Sequence, residues 1–565
     1  MSQQELTAIP QGTLVQWCLI SHTNIGKTTL TRTLLGQDVG DIRDAPHVTD
    51  TADAHTLVRT PEGDELRLWD TPGFGDSVRL YQRLQQQSNP MGWLLSNIWD
   101  RWRDKPFWMS QRAMRAARDS ADVVLYLVNA AENPADAGYL DAEMHLLRWL
   151  GRPVVVLLNQ TGAPQTVRQQ DEDVRTWTRA LAQYKPMVCD VLALDAFTRS
   201  WMHEQRLFHA VQPLIPPGKQ AAYQRIVATW ESANRQRFDA SMAAIATLLT
   251  QAARWKEPVA ATTRSPLPSW DSLKNLLPLG ASGTGNAAPP DAEQQAMQKL
   301  LRHLQKEDLR STETLLELHR LDGRAAAEIH AQLREYFTIH QPLDMRQMGL
   351  LGALASGAAG GLGADLATGG LSMGAGALLG ALAGAFTFAG AALGINRIRE
   401  QTEHQVQLSD GFLDSLLHAG MLKYLAIAHF GRGRGHYSEA ESSLPAPAHW
   451  HEALQQHTAP QKTRLHSLWQ RLRAAPENDE AASQPIHEEL RALVGDIVLA
   501  AMQQLYPKPK RQARPHPTAA HNPPGDPNAD HASSRPETSA STGTNTSTSA
   551  STSTSTSTST STSTS

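Results

Sequence analysis

The run "LVQWCLI" (residues 14–20), followed at once by "SHTNIGKTTL" (residues 21–30), constrains this chain more than any other stretch. An apolar segment of strand length ends in a short polar turn, and a helical pattern begins with Gly26-Lys27-Thr28. Such a turn points its backbone amides inward at the positive end of a helix, which makes a seat for phosphate. The full pattern is G-x-x-x-x-G-K-[ST]. Ser21 stands at the first glycine position, while Gly26, Lys27 and Thr28 are intact. That first position shapes the turn more than it contacts phosphate, and serine is small. A strand, loop and helix of this kind implies an α/β domain.

A G-K-T at a helix start can arise by chance, so a second motif matters. "LRLWDTPGFGD" (residues 66–76) sets Asp70-Thr71-Pro72-Gly73 directly after an apolar strand. An acidic residue there can hold Mg²⁺ through water, and the Gly73 amide can reach a γ-phosphate. Alone it could be an ordinary strand-ending turn; at this distance from the first motif it points to a nucleotide. Between the two lies "DAPHVTDTADAHT" (residues 44–56), where Thr49 or Thr51 could reach Mg²⁺. The sequence does not choose between those threonines, and both could be solvated loop residues.

Residues 13–215 read as one such domain. Apolar runs "ELRLWD", "DVVLYLVNA", "PVVVLLN" and "MVCDVLALD" alternate with helical stretches, the pattern of a mostly parallel sheet. "TPEGDE" (residues 60–65) has turn chemistry and predicts one antiparallel hairpin. With 565 residues, 41% of them apolar, the chain has room for two to four domains. A helical segment is expected at 216–256, a Pro/Gly/Ser-rich linker at 257–290 and a helical domain at 291–505. Residues 506–565 end in a Ser-Thr repeat, have little to bury and are expected to be a disordered tail. The net charge of −4 gives no global pointer to nucleic acid. Two cysteines, Cys18 and Cys189, without zinc spacing fit a reducing compartment. The opening "MSQQELTAIPQG" lacks a basic start and apolar run, so no secretory signal is expected. The expected location is the cytoplasm or the cytoplasmic face of the inner membrane.

"TNIGKTTL", "DTPGFGD", "ADVVLYLVNA" and "PVVVLLNQTG", in this order and spacing, resemble the Era-like branch of the translation-factor-related GTPases. The whole chain resembles bacterial GTPases that carry a C-terminal domain of unknown function. The resemblance implies a P-loop GTPase fold, GTP and GDP as ligands, and Mg²⁺ as cofactor. It implies that Lys27 contacts the β- and γ-phosphates, that Thr28 and Asp70 serve the metal, and that Gly73 senses the γ-phosphate. Ser21, Asn24, Ile25, Gly26 and Thr29 complete the phosphate side, and Asn159 with Gln160 stands on the base side. The family reads guanine with N-K-x-D, and this chain has Asn159-Gln160-Thr161-Gly162, without the aspartate. The loop "LDAFTR" around Ala196 is a further candidate base contact. Phe74 follows the Asp-Thr-Pro-Gly motif where some relatives place a water-orienting glutamine, so slow intrinsic turnover is expected. Asn24 could hold a stimulating K⁺, as in potassium-activated relatives, or could be a turn residue. His22 is expected to be solvated or hydrogen-bonded rather than catalytic.

Two further segments bear on partners. "MGWLLSNIWDRWRDKPFWMSQ" (residues 91–111) interleaves Trp93, Trp99, Trp102 and Trp108 with basic residues. Packing of this insertion onto the protein is favoured over base stacking or a membrane interface. Residues 349–395 hold a single charge, Asp365, and a Gly376, Gly380, Gly384 repeat. Glycine at that density suits closely packed helices in lipid, so a membrane hairpin is expected, with a soluble Gly/Ala helix pair as the alternative. Arg346, Arg397 and Arg399 flank its ends. The leading expectation is a Mg²⁺-dependent, membrane-associated GTP-hydrolysing switch with a membrane or membrane-protein partner. The alternatives are a nucleotide-binding scaffold with little hydrolysis and a GTPase acting on RNA or ribosome assembly. Nucleic acid is the less favoured partner, and homo-oligomerisation is left open.

Overall fold

The computed structural model describes residues 12–36, 53–96, 105–161, 165–196, 200–259, 292–321, 395–400, 403–429, 448–476 and 479–507. Thr49, Thr51, Trp99, Trp102, Gly162, residues 349–394 and residues 508–565 lie outside them.

Unbroken apolar runs become the inner strands of a parallel sheet, because helices cover both faces. The first domain runs β1 (Leu14–Ser21), α1 (Lys27–Leu35), β2 (Asp53–Arg59), β3 (Glu65–Asp70), α2 (Ser77–Gln85), α3 (Pro90–Ser96) and α4 (Lys105–Ser120). It continues with β4 (Val123–Asn129), α5 (Leu140–Arg148), β5 (Val154–Asn159), α6 (Val167–Ala180), β6 (Val188–Ala193) and α7 (Trp201–Val211). The strand order is β2-β3-β1-β4-β5-β6, with β2 antiparallel to β3 and the rest parallel. Every residue of β5 is buried, whereas the edge strand β2 is mostly exposed. The expected hairpin is present: Thr60 N–H donates to the Asp64 carbonyl at 2.9 Å. The Asp64 carboxylate then ties the turn to its surroundings, accepting from Thr13 N at 2.9 Å and Arg225 Nε at 2.7 Å.

One face of the sheet packs Cys18, Ile20, Val124 and Tyr126 against α2, α4 and α5. The insertion of α3 and α4 follows the packing expectation: Phe107 is buried, with Arg79 and Arg83 over its ring at 5.2 and 5.0 Å. Trp93 packs against the same core. The other face packs Val15, Trp17 and Leu19 against α1, α7 and the start of α8 (Gln220–Arg254).

Beyond α8 come β7 (Glu257–Val259), α9 (Ala292–Leu318), β8 (Ile395–Glu400), β9 (Glu403–Leu408), α10 (Asp410–Ala428), α11 (Ala448–Thr458), α12 (Lys462–Ala474) and α13 (Glu480–Leu505). The region is mainly helical, as expected, but β7, β9 and β8 form a small antiparallel sheet. Residues 257–259, read from composition as the start of a linker, are an edge strand, with Val259 opposite His404. Ile395, read as the end of the glycine-rich hairpin, opens β8, and Arg397 and Arg399 lie along that strand. Three residues pairing across such a separation leave no local periodicity to read. The helices bury a core of Leu, Ala, Met and aromatic residues, within which Lys423 Nζ meets Asp308 Oδ1 at 2.6 Å.

Candidate nucleotide site

β1 ends at Ser21, and after five intervening residues α1 begins at Lys27. The turn between them needs two left-handed residues, Asn24 (φ 62°) and Gly26 (φ 91°). A Cβ on Gly26 would stand 2.8 Å from Asn159 Nδ2, so position 26 excludes a side chain on both backbone and packing grounds. The first amides of α1 have no partner within the helix, and no side chain caps it at Gly26. They supply the donors that a phosphate would take.

Lys27 is buried and donates to Ser21 Oγ at 2.9 Å. The serine hydroxyl at the altered loop position therefore holds the lysine ammonium in place. Burial pushes the Lys27 pKa down to about 8, against the pull of Asp70 and Glu143. An anion arriving at this ammonium would favour its charged form. Gly73 lies close by: a Cβ there would meet Lys27 Nζ and Thr23 Cα, each at 3.0 Å.

Thr28 Oγ1 donates to Asp70 Oδ2 at 2.6 Å. The other oxygen, Asp70 Oδ1, is buried and makes no hydrogen bond among the described residues. Burial raises the Asp70 pKa, opposed by the Thr28 hydroxyl and the Lys27 charge. A hydroxyl and a half-satisfied carboxylate, side by side at the helix start, form a donor set that suits a hard divalent cation. Thr29, also expected at the site, is buried in the first turn of α1.

Phe74 is wholly buried, and its N–H donates to the Ser21 carbonyl at 2.9 Å. The loop after β3 is thus stitched to the loop after β1. His22 is hydrogen-bonded, as expected: Nδ1 lies 2.7 Å from Glu143 Oε1, and the ring stacks on Tyr139 at 4.3 Å. Glu143 is buried on α5 and accepts from Tyr126 Oη at 2.6 Å. The sequence reading missed this residue. Its signal was a carboxylate in the apolar stripe of α5, which packs Leu140, Met144 and Leu147 inward.

Asn159 stands at the end of β5, but both of its polar atoms serve the scaffold. Nδ2 donates to the Ile25 carbonyl at 2.6 Å, and Oδ1 accepts from Ala196 N at 2.8 Å. It joins the phosphate loop to the loop after β6, and Thr33 Oγ1 on α1 donates to the Ala196 carbonyl at 2.8 Å. Gln160 takes a left-handed conformation (φ 59°), with Nε2 3.4 Å from the Asn24 carbonyl. Asp195 is buried and accepts at Oδ2 from Thr161 N at 2.8 Å and Thr161 Oγ1 at 2.5 Å. Sequence reading had marked its loop without singling it out.

Residues 180–497 match a family model described as "Domain of unknown function (DUF3482)". The chain belongs to the DUF3482 family. Residues 16–160 match a second model, described as "50S ribosome-binding GTPase". The N-terminal domain is an Era-like P-loop GTPase domain, as its motifs implied. The chain is similar to GTPase Der of Streptococcus sanguinis (strain SK36), 25% identical over 196 residues, which are 34% of this chain and 38% of that protein. It is similar to GTPase Der of Streptococcus pneumoniae (strain CGSP14), 25% identical over 203 residues with the same two shares. The chain spans well under half the length of these curated relatives. A solved structure of Aquifex aeolicus Era bound to GDP and AlF4⁻ is 17% identical, covering 36% of this chain and 57% of that one, with a TM-score of 0.28. That likeness adds nothing to the assignment.

Proposed function

We propose that this chain is a Mg²⁺-dependent switch that binds and hydrolyses GTP through its N-terminal domain. The observation that carries the reading is the paired arrangement at the start of α1. Lys27 is held by Ser21, and Thr28 is held by Asp70, whose second oxygen is buried without a hydrogen bond among the described residues. Lys27 would pair with the β- and γ-phosphates, and the α1 amides would cradle them. Thr28 and Asp70 would hold Mg²⁺, which supplies charge neutralisation at the phosphates when bound. Gly73 would sense the γ-phosphate through its amide. Thr49 or Thr51 would complete the metal site, and Asn24 would hold K⁺.

Phe74 can neither donate to nor accept from a water, so basal turnover is expected to be slow. Calorimetric titration of GTP with Mg²⁺ tests the core of the proposal. The wild-type chain should bind, and Lys27→Ala should lose binding by ~100-fold or more, as expected when a buried charge-assisted contact is removed. Unchanged binding would sink the reading. Turnover in K⁺ against Na⁺ salts tests Asn24, and absence of turnover in both would favour a recruiting scaffold.

Membrane association through residues 349–395 is part of the same proposal and rests on their glycine-rich, nearly uncharged sequence. Among the described residues no helix is long and apolar enough to cross a membrane. Flotation of the full chain with anionic vesicles, compared with a chain lacking 349–394, decides it. A second reading, action on ribosome assembly, draws on the description of the family model matched by residues 16–160. It would appear as GTP-dependent cosedimentation with 50S subunits.

A further inference from the structure

The loop after β5 brings no carboxylate to a purine, since Gln160, Thr161 and Gly162 carry none. The neighbouring loop does bring one. β5 and β6 are parallel and paired through Leu158 and Ala193, so their following loops leave the same edge of the sheet. In open α/β sheets ligands sit at that edge, beyond the carboxyl ends of the strands. Asn159 fixes the positions: it bonds the Ile25 carbonyl of the phosphate loop and the Ala196 N–H. Asp195, the residue before Ala196, is buried and aims its carboxylate at Thr161, which engages Oδ2 with two hydrogen bonds. A nucleotide with its phosphates at Gly26–Thr28 would extend its base toward these two loops.

We infer that Asp195 is the guanine-reading residue of this chain, supplying from the loop after β6 the carboxylate that the loop after β5 lacks. Guanine presents two adjacent donors, N1–H and the 2-amino group. An ionised carboxylate accepts only, and can take several hydrogen bonds at once. Adenine presents an acceptor at N1, which the same carboxylate would repel. Thr161 is the positioning residue, because its amide and hydroxyl orient the carboxylate. The inference rests on the nucleotide reading proposed above and names the residue that makes it specific.

The test is a titration of the full chain with Mg²⁺ and methylanthraniloyl derivatives of GTP, ATP and XTP, for the wild type and for Asp195→Asn. Xanthine carries a carbonyl where guanine has the amino group, and an asparagine amide can pair with that carbonyl and with N1–H. The wild type should prefer GTP over ATP by roughly 100-fold or more, since a buried polar site rejects a mismatched partner strongly. Asp195→Asn should reverse the order of GTP and XTP and leave ATP affinity within about 3-fold of the wild type. Thr161→Val should weaken GTP by ~10-fold, in keeping with hydrogen bonds lost to a charged group, and ATP much less. Retained guanine preference in Asp195→Asn would overturn the inference. So would an equal loss of all three nucleotides with an unchanged melting temperature, which would make Asp195 a scaffold residue. Equal wild-type affinity for GTP and ATP would overturn the specificity inference and leave the phosphate site standing. No wild-type binding of any nucleotide would overturn the underlying reading as well.

Discussion

At the scale of single residues, the site is held by polar atoms that bond to one another across three loops. Asn159 is the clearest case. Its amide satisfies a carbonyl of the phosphate loop and an amide of the loop after β6, both at buried positions. Asn159→Ala would leave those two backbone groups unpaired, at about 1–3 kcal/mol each. Thermal unfolding of this variant should show a melting temperature lower by several degrees, and GTP affinity should fall by ~10-fold as the loops separate. Gln160→Ala is the control: its side chain is only half-buried and its contact is long, so stability should stay within about 0.5 kcal/mol. Equal stability of Asn159→Ala and the wild type would show that the loops hold without the clamp. Lys27 and Thr28 were legible in the sequence from one strand–loop–helix unit and Asp70 from a second motif at the end of β3, because each motif is a local property. Glu143 and Asp195 were not, since each acts on a loop that lies far from it in sequence.

Among elements, α7 carries the most consequence. Its cap, Ser200, follows the Asp195–Ala196 loop by a few residues, and its Arg206 donates to the Pro507 carbonyl just beyond α13. His203 on α7 is buried, makes an edge contact with Tyr506 at 4.5 Å, and has no hydrogen-bond partner on either ring nitrogen among the described residues. Burial pushes its pKa down to about 3, helped by the positive charge of Arg206 and by His429. The unfolded chain would take up this proton near pH 6.5, well before the folded one does. Stability contributed by neutral His203 is therefore present above pH 6.5 and lost as the pH falls toward 3. Denaturant titrations at pH 7 and pH 4 should show His203→Phe losing less stability than the wild type, by on the order of 3 kcal/mol. Equal losses would mean that His203 is not what makes the junction acid-sensitive. The helical pattern of α7 was readable from sequence; that its histidine would be sealed against a tyrosine 303 residues later was not.

For the whole molecule, α8 decides how the GTPase domain and the helical region hold together. Its first turns place Tyr223, Ile226, Val227 and Trp230 in the core beneath the sheet, where Trp230 stacks on Phe208 at 4.6 Å. Its later turns place Phe238, Met242, Ile245 and Leu249 in the helical core. A domain cut at residue 215, the boundary that composition suggests, would lose four large buried side chains at about 1.5–3 kcal/mol each. That loss rivals the whole stability of an ordinary domain, about 5–15 kcal/mol. Residues 1–215 should therefore lack a cooperative thermal transition by circular dichroism, while residues 1–235 should melt cooperatively. A cooperative melt from the shorter piece would show that α8 is dispensable to the GTPase domain.

Local sequence patterns specify the sheet, its single antiparallel hairpin, and the lysine, threonine and aspartate at the phosphate end. Those features follow from periodicity of two and of 3.6, and from motifs confined to one turn of chain. Folding alone makes Asn159 a clamp, sets Asp195 beside Thr161, pairs β7 with β9 and gives α8 to two cores. Each of these is a contact between segments far apart in the chain. Burial and hydrogen-bond satisfaction in the folded molecule select such contacts, and no local pattern encodes them.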